Sequence, residues 1–162
     1  VTLSSSSFWK PFGIAFLLAM AVGGLGALTT DLGTWYQSLK KPWWEPPDFL
    51  FGPVWTTIFA LAALSAVFAW RRAPDRDSRI TIVLLFAANA FLNVFWSALF
   101  FRLKRPDWAL FEVGFLWLSV LIPIFFLARY SRKSSWLLVP YIAWVTFAGL
   151  LNYAIVTLNP TA

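Results

Sequence analysis

Apolar and polar positions alternate along this chain in long blocks, not in a period of two. Five apolar runs, at about 11–30, 51–70, 80–101, 108–128 and 136–158, are separated by polar links. Crossing a hydrocarbon core takes about 20 helical residues, and each run reaches that length. The pattern predicts an all-α membrane protein: one domain over residues 1–162, folded as a bundle of five transmembrane helices. Three links are short and charged, RRAPDRDSR, RLKRPD and RYSRKSS. The first, at about 31–50, is longer and of a different kind.

That first link and the start of the second run read WYQSLKKPWWEPPDFLFGPVWTT, from Trp35 to Thr57. Pro42, Pro46, Pro47 and Pro53 each fix φ and remove a backbone donor, so the chain between Lys40 and Gly52 cannot be continuous helix. Aromatic rings threaded through so stiff a segment predict a cap over something beneath it.

Within the runs, intramembrane charge, the usual pointer to a pump or relay, is nearly missing. Glu112 is the one acid inside a span, and it is expected near the interface, paired with Arg102, Lys104 or Arg105 of the neighbouring link. Uncharged polar groups say more. Asn89, Asn93 and Trp96 fall at i, i+4 and i+7 on the third helix and share a face. Two amides facing lipid would be costly, so that face is expected to point into the bundle. Trp144, Ala148 and Asn152 form a similar face on the fifth helix, with Tyr141 close by, and Trp55 and Phe59 stand one turn apart on the second. Large rings, a small residue and a few amides are the make-up of an apolar pocket. The same amides also suit interhelical hydrogen bonding. Trp9, Trp35, Trp70, Trp108 and Trp136 lie near span ends, where an aromatic belt is expected; Trp55, Trp96, Trp117 and Trp144 lie inside spans. Ala15, Ala19, Gly23 and Ala27 repeat every four residues on the first helix, a stripe that suits packing within the bundle or a dimer contact. Pro123, mid-helix, predicts a kink.

Composition narrows the chemistry. Charged residues make up 12% of the chain, about half the usual share for a soluble domain, and the mean hydropathy is +0.71. Cysteine and histidine are both absent, which removes disulfides, thiol catalysis, the usual metal ligands and the usual general base. No metal site, no cofactor and no conventional catalytic centre is expected. The net charge of +6 lies in clusters between apolar runs and fits anionic lipid at the bilayer surface better than nucleic acid. The N-terminal VTLSSSSFWKP lacks the features of a removable signal. Eight Lys and Arg fall on the side of the N-terminus and links 2–3 and 4–5, against five on the other side. That bias predicts the N-terminus inside and the Trp/Pro cap outside.

The motifs WY…L.KP.W.PP…F..VWT, Asn93 with Trp96, and PYIAW…LNY between Pro140 and Tyr153 occur in order. Through them the chain resembles the translocator protein family, also called tryptophan-rich sensory proteins or peripheral-type benzodiazepine receptors, over about Trp35 to Tyr153. The resemblance implies a five-helix bundle, often dimeric, whose cavity is capped by the first loop. It implies binding of porphyrins such as protoporphyrin IX and of other flat hydrophobic molecules. Carried over by motif, the ligand-binding residues would be Tyr36, Trp44, Pro46 and Pro47 from the loop, and Phe51, Trp55 and Phe59 from the second helix. Asn93 and Trp96 would come from the third, and Trp144, Ala148 and Asn152 from the fifth. Animal members end the fifth helix with Leu/Val, Tyr and then Lys/Arg; here Leu151 and Tyr153 are present but no Lys or Arg follows Asn152. A bacterial-type member that handles tetrapyrroles is therefore expected over a dedicated sterol binder.

Three functions follow as expectations. The first is a binding and sensing protein that does not ligate a central iron. The second is light-dependent porphyrin breakdown, in which Trp44 and Trp144 would react or hold the product. The third is tetrapyrrole or lipid transport, which the scarcity of intramembrane charge disfavours.

Overall fold

The computed structural model describes residues 6–160, so Val1 to Ser5 of the N-terminal stretch lie outside the described part. It is all-helical among the described residues, and five of its helical stretches are long and apolar enough to cross a membrane. The chain is an integral multi-pass membrane protein.

The first span is α1 (Ser6–Thr29). A short helix, α2 (Thr34–Ser38), opens the Trp/Pro link, and a 3-10 turn (Asp48–Leu50) closes it. The second span is α3 (Phe51–Arg72), with Arg71 and Arg72 in its last turn, where cations complement the helix dipole. The third is α4 (Arg76–Ser97), capped by Asp75, whose Oδ1 accepts from Ser78 N at 2.7 Å. Its end widens into a π-helical turn (Ala98–Arg102), in which Leu103 N donates to Ala98 O, five residues back, at 2.9 Å. The fourth span, α5 (Pro106–Ala128), starts on a proline and runs on through Pro123.

The fifth run is two helices, α6 (Arg132–Leu137) and α7 (Val139–Leu158). Pro140 has no N–H to offer the carbonyl of Trp136, and the ladder breaks at Leu138 between them. The spans close into a ring in the order α1, α3, α6 with α7, α5, α4, and back to α1. Close approach of α1 to α3 falls at Gly23, where a Cβ would sit 3.1 Å from the ring carbons of Phe59. The small-residue stripe thus serves packing inside the bundle at this position.

Two buried clusters hold the ring together. One, around Ile58, Ile82, Leu116, Val120 and Val145, fills the space between α3, α4, α5 and α7. The other joins Tyr36 and Leu39 of the link to Leu99, Phe100, Leu151 and Ile155, which pins the cap to one end of the bundle.

Candidate functional site

Between α1, α3, α4 and α7, under α2, lies a cavity of about 650 Å³. That is within the range of sites that enclose a drug-sized molecule. Eight aromatic side chains are on its wall. Trp55 stacks on Phe59 with ring centroids 5.4 Å apart, and Trp144 meets Trp55 edge-on at 6.4 Å and Phe51 at 5.8 Å. Trp96 stacks on Phe100 at 5.4 Å. These rings brace one another, so their positions are set before any ligand arrives.

Nine of the twelve residues singled out from the sequence line this cavity: Tyr36, then Phe51, Trp55 and Phe59 of α3, Asn93 and Trp96 of α4, and Trp144, Ala148 and Asn152 of α7. Trp44, Pro46 and Pro47 are not on its wall. Trp44 packs edge-on against Phe147 at 5.7 Å, outside the cavity. Trp117, although inside a span, donates to Thr146 Oγ1 at 2.9 Å and ties α5 to α7 instead. The sequence reasoning missed the α1 side, Met20, Gly23, Gly26 and Thr30, and the paired rings Phe100 and Phe101. Glycines among apolar residues gave the only available signal for the first group. Nothing local announces the π turn that brings the second.

The amide groups of the wall and the Trp96 indole are tied to partners behind it, whereas the buried Trp144 Nε1 has no hydrogen-bond partner among the described residues. Trp96 Nε1 donates to Asn152 Oδ1 at 3.3 Å, and Asn152 Nδ2 donates to the carbonyl of Pro106 at 2.8 Å. Asn93 Nδ2 donates to the Tyr141 hydroxyl at 3.2 Å, and that hydroxyl donates to Asn89 Oδ1 at 2.9 Å. Asn89 Nδ2 donates to Ser119 Oγ at 2.9 Å, which donates to Leu116 O at 2.7 Å. The amides on α4 therefore do join helices, and one of them also lines the cavity.

At the mouth, the buried Tyr36 donates its hydroxyl to Glu45, while Lys41 Nζ lies 3.7 Å from the Tyr36 ring centroid and 3.5 Å from the Glu45 carboxylate. Burial, and then the bond to Glu45, push the Tyr36 phenol well above its ordinary value. Asn159, just past α7, clamps the link from the other side: its Oδ1 accepts from Lys40 N and its Nδ2 donates to Lys40 O, both at 2.9 Å.

Glu112 departs from expectation. It is buried on α5, and neither carboxyl oxygen has a hydrogen-bond partner among the described residues. The basic residues proposed for it are engaged elsewhere. Arg105 forms a two-pronged pair with Asp107, at 2.8 and 2.5 Å, Arg102 donates to Leu28 O, and Lys104 lies over the Trp35 ring. Asp107 is in the first turn of α5, closer in sequence to the link and exposed, so it takes the charge without desolvation.

Residues 14–158 match the TspO/MBR family. The chain belongs to that family. It is 40% identical over 150 residues to the tryptophan-rich protein TspO of Chlorobaculum tepidum, covering 88% of this chain and 92% of that one. It is 33% identical to the tryptophan-rich sensory protein of Cereibacter sphaeroides, covering 89% and 90%. It is 32% identical to the bovine translocator protein, covering 90% and 88%. The TspO/MBR match takes in every residue given above for the cavity wall.

Proposed function

We propose that this TspO/MBR protein is a membrane receptor or sensor that binds protoporphyrin IX and related flat tetrapyrroles in the cavity under the cap. The observation that carries the reading is the wall itself: Trp55, Phe59, Trp96 and Trp144 offer ring faces and edges, with few amides between them. Such a wall suits a planar apolar ligand and lacks an imidazole or thiolate for iron. A homodimer in the membrane, with the cap on the outer side, belongs to this reading.

The test is a protoporphyrin IX titration followed by tryptophan quenching, with Trp55→Phe, Asn93→Ala and Trp144→Phe alongside. Saturable quenching that weakens in the variants is expected. Non-saturable quenching, equal in all four proteins, would mean that the porphyrin only partitions into detergent. Repeating the titration in light tests the degradation reading, which the position of Trp144 among the cavity rings favours. Loss of porphyrin in light, abolished by Trp144→Phe, would establish it.

A further inference from the structure

The cavity wall carries two amides, and hydrogen bonds commit them differently. Asn152 is used at both ends, by Trp96 Nε1 and by the Pro106 carbonyl. Asn93 is used at one end only: its Nδ2 goes to Tyr141, and no donor among the described residues reaches its Oδ1. That oxygen points toward α1, since a Cβ on Gly26 would lie 3.9 Å from it, and both residues line the cavity.

Which end of Asn93 is free is decided several residues away. The carbonyl of Leu116 can only accept, so the Ser119 hydroxyl 2.7 Å from it places its proton between them. The Ser119 oxygen must then accept, which puts Asn89 Nδ2, not Oδ1, beside it. Asn89 Oδ1 in turn takes the Tyr141 proton, and the Tyr141 oxygen is left to accept from Asn93 Nδ2. Turning Asn93 over would set its oxygen against that of Tyr141, unless the whole series reversed. Reversal would leave the Ser119 and Leu116 oxygens 2.7 Å apart with no proton between them.

We propose that Ser119, Asn89 and Tyr141 are positioning residues that hold the Asn93 amide with its oxygen toward the cavity, so that the site selects flat apolar ligands offering an N–H or O–H to it. The inference rests on the ligand-cavity reading above and names the ligand chemistry that such a cavity prefers. Ser119 and Asn89 are absent from the cavity wall, and Tyr141 lies behind it, so all three act through Asn93.

Carbazole and dibenzofuran test it. They share one three-ring outline, but carbazole has a ring N–H where dibenzofuran has an oxygen. Binding is measured on the protein in nanodiscs, with empty nanodiscs subtracted. Wild-type protein is expected to hold carbazole about fivefold to tenfold more tightly, the worth of one net hydrogen bond. Tyr141→Phe frees the amide to turn over, and the ratio should fall to about one. Should that variant not fold, Ser119→Ala breaks the series farther from the cavity and should do the same, while Ser119→Thr keeps the hydroxyl and the ratio. A purely structural role would weaken both probes alike and leave the ratio intact. Equal binding of the two probes by wild type, or a ratio that survives both Tyr141→Phe and Ser119→Ala, overturns the proposal and leaves the cavity standing. Saturable binding of neither probe overturns the cavity reading, and this inference with it.

Discussion

Glu112 offers the sharpest energetic test of the bundle. It sits on the buried stripe of α5 with Ala109 and Leu116, is 4% exposed, and has no partner among the described residues for either carboxyl oxygen. A buried polar group left without its hydrogen bonds costs about 1–3 kcal/mol. Methionine has similar length and volume and no such requirement, so Glu112→Met removes that cost without opening a hole. The substitution is expected to stabilise the protein by about 1–3 kcal/mol. At roughly 2–4 °C per kcal/mol for a chain of this size, the midpoint should rise by about 2–12 °C. Glu112→Gln keeps a polar group in the same place and should change little. Thermal unfolding in one detergent at one scan rate, followed by tryptophan fluorescence, measures all three proteins. A midpoint that falls in Glu112→Met and holds in Glu112→Gln would refute the reasoning. The polar side chain would then be making a bond that stabilises the fold.

Four further outcomes follow from contacts described above. Gly23→Ala sets a Cβ 3.1 Å from the Phe59 ring; the gain in helix propensity, about 1 kcal/mol, offsets the crowding, so stability should hold while displaced Phe59 weakens protoporphyrin binding in the quenching titration. Gly23→Leu should overpack the α1–α3 contact and lower stability by about 1–3 kcal/mol. Because the Tyr36 phenol is raised in the folded protein, its contribution to stability is complete below the unfolded value of about 10 and is lost as pH climbs above it. Unfolding curves at alkaline pH should therefore fall less steeply for Tyr36→Phe than for wild type, and identical slopes would remove Tyr36 as the cause. Asn159→Ala deletes both bonds to Lys40, and stopped-flow release of protoporphyrin should quicken by about fivefold, the worth of about one net hydrogen bond; an unchanged rate would mean that the clamp does not limit exit.

The spans were legible because block hydropathy at membrane length has few other solutions, and Pro42, Pro46 and Pro47 marked the link by what proline forbids. The third and fifth spans showed their inward faces because an amide in mid-span must find a partner, and Asn93 and Asn152 do. The α1 face stayed hidden because glycine carries no side chain to reveal a direction. The ion pair assigned to Glu112 followed sequence distance, whereas helical geometry turns Glu112 inward and leaves Asp107 facing the basic link. The split at Leu138 was readable in principle from Pro140, but mean hydropathy runs smoothly across it.

The π turn at Ala98–Arg102 amounts to an α-helix carrying one residue more than its ladder needs. Upstream, the register of α4 is fixed by Asn89 against Ser119; downstream, Arg102 must reach Leu28 and Pro106 must begin α5. The surplus residue lets both demands be met at once. Winding the same five residues as regular α-helix would instead swing the downstream segment by about 100° relative to the upstream one. Phe100 and Phe101 would no longer present the same ring faces. For comparison with related chains, a gap placed here or omitted decides which phenylalanine is matched to the cavity. Transplanting the wall into another bundle would fail at the same spot unless the extra residue travelled with it.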